Sequence, residues 1–192
     1  MNTHAAPHAI ESIGPLARTA RSMDFESMWL GLRDGGRMPT RAEFRPAKAA
    51  RFLREIVLLE VPRGIERRVM VRLVGTTVEA RLQTNIVRQD YLQYLPEIHR
   101  EGAWRSCRMM AEHPCGLWQM SNLRYERGIS NLVEMTMFPL AGTPDGPQFV
   151  LVHLNFMGTG ADSGSAPRAI SADTALTFRF LDVGAGLPAW AA

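Results

Sequence analysis

The chain has 192 residues, of which 46% are apolar and 21% charged. That balance excludes an intrinsically disordered, collagen-like or coiled-coil polypeptide and suits one globular domain with appendages. Net charge is +3 and the pI is ≈ 9.3, yet every basic residue except Lys48 is arginine. A GC-rich coding sequence produces that bias without selection for phosphate contacts, so basicity alone does not indicate a nucleic-acid partner. Cys107 and Cys115 fit no metal-ligand spacing and no disulfide framework, and read as free thiols in a reducing compartment. No apolar run reaches the ~18 residues of a membrane helix. Glu11 and two prolines interrupt the N-terminal stretch where a signal peptide needs an unbroken apolar core. A cytoplasmic protein with no membrane partner is expected.

Residues 1–22 are rich in Ala, His, Pro and Ser and predict a flexible arm. Met23, Phe25, Met28, Trp29 and Leu32 then recur at helical spacing, with Ser22 and Asp24 as N-cap candidates and Gly35-Gly36 as the stop. Pro39 holds the following segment extended, and Pro46 opens a short helix through PAKAARFLRE. Glu55 to Val61 and Arg68 to Val74 are short, β-branched and separated by a turn with Pro62 and Gly64, which predicts an antiparallel hairpin. Thr76 to Leu82 predicts a helical turn, Gln89 to Leu95 another, and Pro96 to Glu112 the longest helix. On that helix Ile98, Trp104, Cys107, Met110 and Ala111 share a stripe, and Glu101 precedes Arg105 by one turn.

Three strands follow, Gly116 to Tyr125, Ile129 to Leu140 and Gln148 to Met157. Alternation along them gives one apolar face, carrying Val133, Met135, Met137, Val150, Val152, Leu154 and Phe156. The other face is mixed and calls for cover by the first helix. Residues 158–192 read as a linker followed by a strand-like tail. Two strands, a helical middle and three strands make an α+β domain around a five-stranded antiparallel sheet.

That order resembles the PAS domain, a sensory module in which a five-stranded sheet holds a pocket against crossover helices. More specifically, the chain resembles a PAS-like family of unassigned activity found mostly in alphaproteobacteria. The resemblance rests on Trp29 in the first helix, Met38-Pro39-Thr40-Arg41, Pro46, the strand IVLLEV, Arg72-Leu73-Val74-Gly75-Thr76 and the tail RFLDVGAGLP. It covers residues 24–157 and the tail, and implies a PAS-like domain over 23–157. Members commonly carry glycines after the Gly-Thr motif. Here Gln83 and Asn85 stand at those places, and asparagine, which tolerates a left-handed backbone, is expected to take that role at 85.

The resemblance implies a single-domain sensor or adaptor in bacterial signalling, working through a protein partner and as a homodimer joined by the first helix. Met28, Trp29 and Leu32 are the candidate dimer stripe. A small apolar ligand would sit among Tyr91, Tyr94, Trp104, Cys107, Met110, Trp118, Met120, Met135 and Met137, with the two tyrosines and Asn122 as polar anchors. No hydrolase, nucleotide-loop or metalloprotease motif is present, and no catalytic residue or metal ligand is assigned. Neither haem nor flavin is expected. His99, His113 and His153 match no haem motif, and Arg105-Ser106-Cys107-Arg108-Met109 does not match the photosensor sequence around a reactive cysteine. The competing reading is a cone-shaped enzyme of ketosteroid-isomerase type, with Asp90 as base beside Tyr91 and Tyr94. The hairpin at 55–74 argues against that topology. Arg63, Arg67 and Arg68 form the densest basic cluster, but acidic residues interleave with the arginines throughout, and no nucleic acid is expected.

Overall fold

The computed structural model describes residues 16–33, 38–126, 130–157 and 169–189. The chain runs through helix α1 (Ala20–Leu30), two 3-10 turns (Pro46–Ala49 and Leu53–Glu55), β1 (Ile56–Val61), β2 (Met70–Val74) and α2 (Thr76–Leu82). A third 3-10 turn (Tyr91–Tyr94) leads into α3 (Glu97–Glu112), and then come β3 (Cys115–Tyr125), β4 (Ser130–Leu140), β5 (Gln148–Met157) and β6 (Ala169–Asp182). The expected hairpin, crossover helices and strand triplet all form. The sheet order is β2-β1-β5-β4-β3-β6, with antiparallel neighbours throughout.

The expectation of five strands is corrected to six. β6 pairs along the whole of β3, from Cys115 opposite Asp182 to Tyr125 opposite Ala169. Its first half reads Ala-Ile-Ser-Ala-Asp-Thr, which lacks the apolar alternation that marks a strand in sequence. Its second half alternates, so that Phe180 enters the core on one face of the sheet and Leu181 enters the core on the other.

Helix α1 begins earlier than its apolar spacing indicates. Thr19, not Ser22 or Asp24, is the N-cap, and its hydroxyl accepts from the Ser22 N–H at 3.2 Å. The added turn buries a polar group: Ser22 is fully enclosed and its hydroxyl pairs with that of Thr136 at 2.7 Å. Gly31 caps the C-terminus, and Gly35-Gly36 lie outside the described residues.

This helix covers the mixed face of the sheet, as the alternation requires. Phe25 and Trp29 pack on Phe138, with ring centroids 5.9 and 5.1 Å apart, and Trp29 Nε1 donates to the Pro139 carbonyl at 2.9 Å. Burial of each such side chain contributes about 2–3 kcal/mol. Trp29 is 1% exposed and Leu32 4%, so both are spent inside the protomer. The expected dimer stripe is therefore corrected: Trp29 and Leu32 are core residues, Met28 packs partly beside them, and the exposed large apolar residues of the helix are Met23 and Leu30.

The family-like motifs have local physical roles. At Met38-Pro39-Thr40-Arg41 the backbone bonds to the end of β4, with Arg41 N–H donating to the Ala141 carbonyl at 2.7 Å and Ala141 N–H to that of Pro39 at 2.8 Å. In Arg72-Leu73-Val74-Gly75-Thr76, Arg72 clamps Glu60 across the hairpin with two bonds of 2.7 and 2.6 Å. Gly75 lies so close to the preceding turn that a Cβ would fall 2.4 Å from the Leu53 carbonyl oxygen. The left-handed residue after α2 is Gln83 (φ 50°), not Asn85. Asn85 instead accepts the Val87 N–H on its side-chain oxygen at 2.9 Å, closing a local turn.

Candidate functional site

The opposite face of the sheet and its helices form a second buried cluster that encloses a space. Between that face and α2, the Tyr91–Tyr94 turn and α3 lies a cavity of about 390 Å³, within the range of small-molecule sites. Strand alternation supplies its floor. Val57 and Leu59 of β1, Leu117 and Leu123 of β3, Met135 and Met137 of β4 and Val152 of β5 all present their side chains to it. The roof comes from Val78 and Leu82 on α2 and from Ala103, Cys107 and Met110 on α3, and Phe178 of β6 stands at the side. Gly102 also borders the space, and a Cβ placed there would meet nothing within 4 Å.

Of the residues expected at a ligand site, Tyr91, Tyr94, Cys107, Met110, Met135 and Met137 line this cavity. Trp104, Trp118 and Met120 do not, and their placement is corrected. Trp118 pairs in register with Thr136 and Met120 with Glu134, so strand parity sends both to the α1 face, away from Met135 and Met137. Trp118 Nε1 donates to Glu134 at 2.8 Å in that core. Trp104 turns outward on α3, donates to the Glu66 carbonyl at 3.2 Å and is flanked by the guanidiniums of Arg67 and Arg108 at 5.3 and 5.1 Å. Asn122 also lies off the cavity lining.

The polar groups of the cavity are few. Burial raises the Tyr91 phenol well above its usual range, with nearby Cys107 adding to the effect. Burial likewise pushes the Cys107 thiol up to about 12, which keeps it protonated and poorly nucleophilic. Gln119 Nε2 rests 3.7 Å from the Met135 sulfur. The Tyr94 hydroxyl donates to Gln89.

Arg81 is the residue that sequence reasoning missed. It lines the cavity and is 7% exposed. Its signal was present, because Val78, Arg81 and Leu82 occupy one stripe of α2 at helical spacing.

Asp90 does not line the cavity with Tyr91 and Tyr94, which corrects the competing enzyme geometry. Its Oδ1 accepts the Val69 N–H and the Leu92 N–H, both at 3.0 Å, as cap of the Tyr91–Tyr94 turn. No His, Cys, Asp or Glu cluster suited to a metal ion occurs among the described residues. Of the basic cluster, Arg67 pairs with Glu101, Arg68 with Glu66, and Arg63 donates to the Gly146 carbonyl. His153, deep under α1, stacks on Phe25 at 5.0 Å, and His113 meets the Gly186 carbonyl at 3.0 Å. No described helix is long and apolar enough to cross a membrane.

A family profile described as "PAS domain" matches residues 17–154. No curated protein matches the chain. Among solved structures, a point variant of the protein named RsLOV is similar at 15% identity and a TM-score of 0.38, covering 60% of this chain and 68% of that one.

Proposed function

The chain belongs to the PAS domain family, and from that premise we propose that it is a sensory module that takes a small, largely apolar ligand into the cavity under α3 and passes the occupancy to a protein partner. The observation that carries this reading is the 390 Å³ cavity itself, placed where a well-packed domain would have interdigitated side chains. Its thioether and leucine lining adapts to ligand shape.

The sheet supplies a route for the signal. Along β4, Met135 and Met137 face the cavity, while Glu134 and Thr136, which alternate with them, hold α1 through Thr19 and Ser22. A ligand that repositions the methionines shifts the strand whose other face fixes the helix. Partner contact, including pairing with a second copy, falls to the outward stripe of α1 at Met23 and Leu30, which are 50% and 40% exposed.

The test is uptake of a neutral apolar fluorophore, N-phenylnaphthylamine, by the purified chain. Blue-shifted emission that saturates in the wild type and is lost in Val152→Phe, which projects a ring into the cavity, supports the reading. A wild type that never enhances the dye, with its native melting transition intact, overturns it.

A further inference from the structure

Arg81 is a buried cation. Among the described residues no carboxylate pairs with it, and the described residues lining the cavity include no Asp or Glu. What it does have accounts for one edge and one face of the guanidinium. Nη1 donates to the Tyr125 hydroxyl at 3.1 Å, and the ring of Phe156 lies 4.0 Å beneath the central carbon. Nε is buried and has no hydrogen-bond partner.

A guanidinium withdrawn from water and left with an unmade bond is costly, and folded proteins retain such groups where something else completes them. With Nη1 engaged by Tyr125 and Nε enclosed, Nη2 is the nitrogen of this cavity-lining guanidinium left to donate to a carboxylate. Another buried polar group without a partner, the Ser121 hydroxyl, lies in the same cross-strand row as Phe156, since Ser121 pairs with Val133 and Val133 with Phe156.

We propose that Arg81 is the anion anchor of the cavity and that its ligand is an amphiphilic monocarboxylate. The carboxylate accepts from Nη2 of Arg81 and the apolar chain runs over the floor toward Met135 and Met137. One guanidinium in an apolar lining balances one negative charge, which disfavours a phosphate dianion. This inference rests on the reading of the cavity as a ligand site and names the ligand's chemical class.

The test compares decanoate with decanol in displacing N-phenylnaphthylamine from the full chain. Decanoate is expected to bind at least about tenfold tighter than decanol. Arg81→Gln removes that preference, and Arg81→Lys, which keeps the charge but not the planar guanidinium over Phe156, restores only part of it. The wild-type preference needs no variant to fold, so it stands as an independent measurement. Equal binding of decanoate and decanol by the wild type overturns the anchor and leaves the cavity reading intact. Failure of the fluorophore and of both ligands to bind overturns both.

Discussion

Thr19 donates both its backbone N–H and its hydroxyl to the carboxylate of Glu134, a residue on β4 that is fully enclosed. The N–H bond measures 2.9 Å. Trp118 Nε1 and Asn155 Nδ2 complete the shell at 2.8 and 2.9 Å. Thr19 is the cap of α1, so the negative charge also sits at the positive end of that helix. Burial alone would raise the Glu134 pKa, but the bonds from Asn155, Thr19 and Trp118 outweigh it and hold the carboxyl below its ordinary range.

Glu134→Gln is expected to destabilise the protein by about 1–3 kcal/mol, because an amide nitrogen then confronts donors that no longer have an acceptor. The denaturation midpoint measures this, and hydrogen exchange in α1 is expected to accelerate with it. Since the folded pKa is depressed, the stabilisation is present above pH 4.5 and is lost as pH falls through the lower folded value. A variant with an unchanged midpoint would show that α1 is held by its aromatic face alone.

His153 titrates in the opposite chemical sense but reinforces the same trend. It is fully buried, stacked on Phe25, with Glu55 Oε2 3.5 Å from Nε2, and desolvation together with the Arg21 charge pulls its pKa from 6.5 to about 4. The unfolded chain takes up a proton that the folded chain refuses, so stability is complete above pH 6.5 and falls toward pH 4. The loss amounts to at most about 3 kcal/mol. Urea titrations at pH 7 and pH 5 measure it. His153→Phe, which keeps an aromatic ring between Phe25 and Phe52, should flatten the dependence over that interval. An equally steep variant would assign the effect to other groups.

The two thiols are expected to be inert while the protein is folded. With pKa values pushed up to about 12 for Cys107 and about 11 for Cys115 by burial, about one Cys107 in ten thousand is ionised at pH 8. Reaction with an aromatic disulfide reagent should follow global unfolding and be immediate in denaturant. Stoichiometric labelling of the native protein within minutes would contradict this.

Gly102 lies inside α3, where glycine costs the helix conformational entropy and an added methyl group meets nothing. Gly102→Ala should therefore stabilise the protein by about 0.5–1 kcal/mol. Thermal melting checks it, and an unchanged or lower midpoint would mean that the position needs backbone freedom that this helix does not display.

The strands and the long helix were legible because their periodicities are strong: β5 runs over Gln148–Met157 as its alternation indicates. Features set by register were not. Nothing local to β3 states which of Trp118 or Gln119 faces α3, since that follows from pairing Trp118 with Thr136. The early start of α1 was hidden because its first turn buries a serine against a threonine instead of an apolar side chain. β6 was half visible, its first residues held by the backbone of β3 and not by an apolar pattern. Arg81 was overlooked because a lone arginine on an apolar stripe ordinarily reaches water along its own stem, and only the three-dimensional enclosure shows that this one does not.

The sheet order also bears on how the chain is made. β1 finds β2 at once as a hairpin, but its other neighbour is β5, with Ile56 opposite His153. On a ribosome adding about 5–20 residues per second, the edge of IVLLEV waits several seconds for its partner, exposed together with the apolar side chains on both its faces. That interval is where premature strand pairing competes with folding, and a chain cut short before residue 148 should accumulate as aggregate instead of as a smaller folded unit.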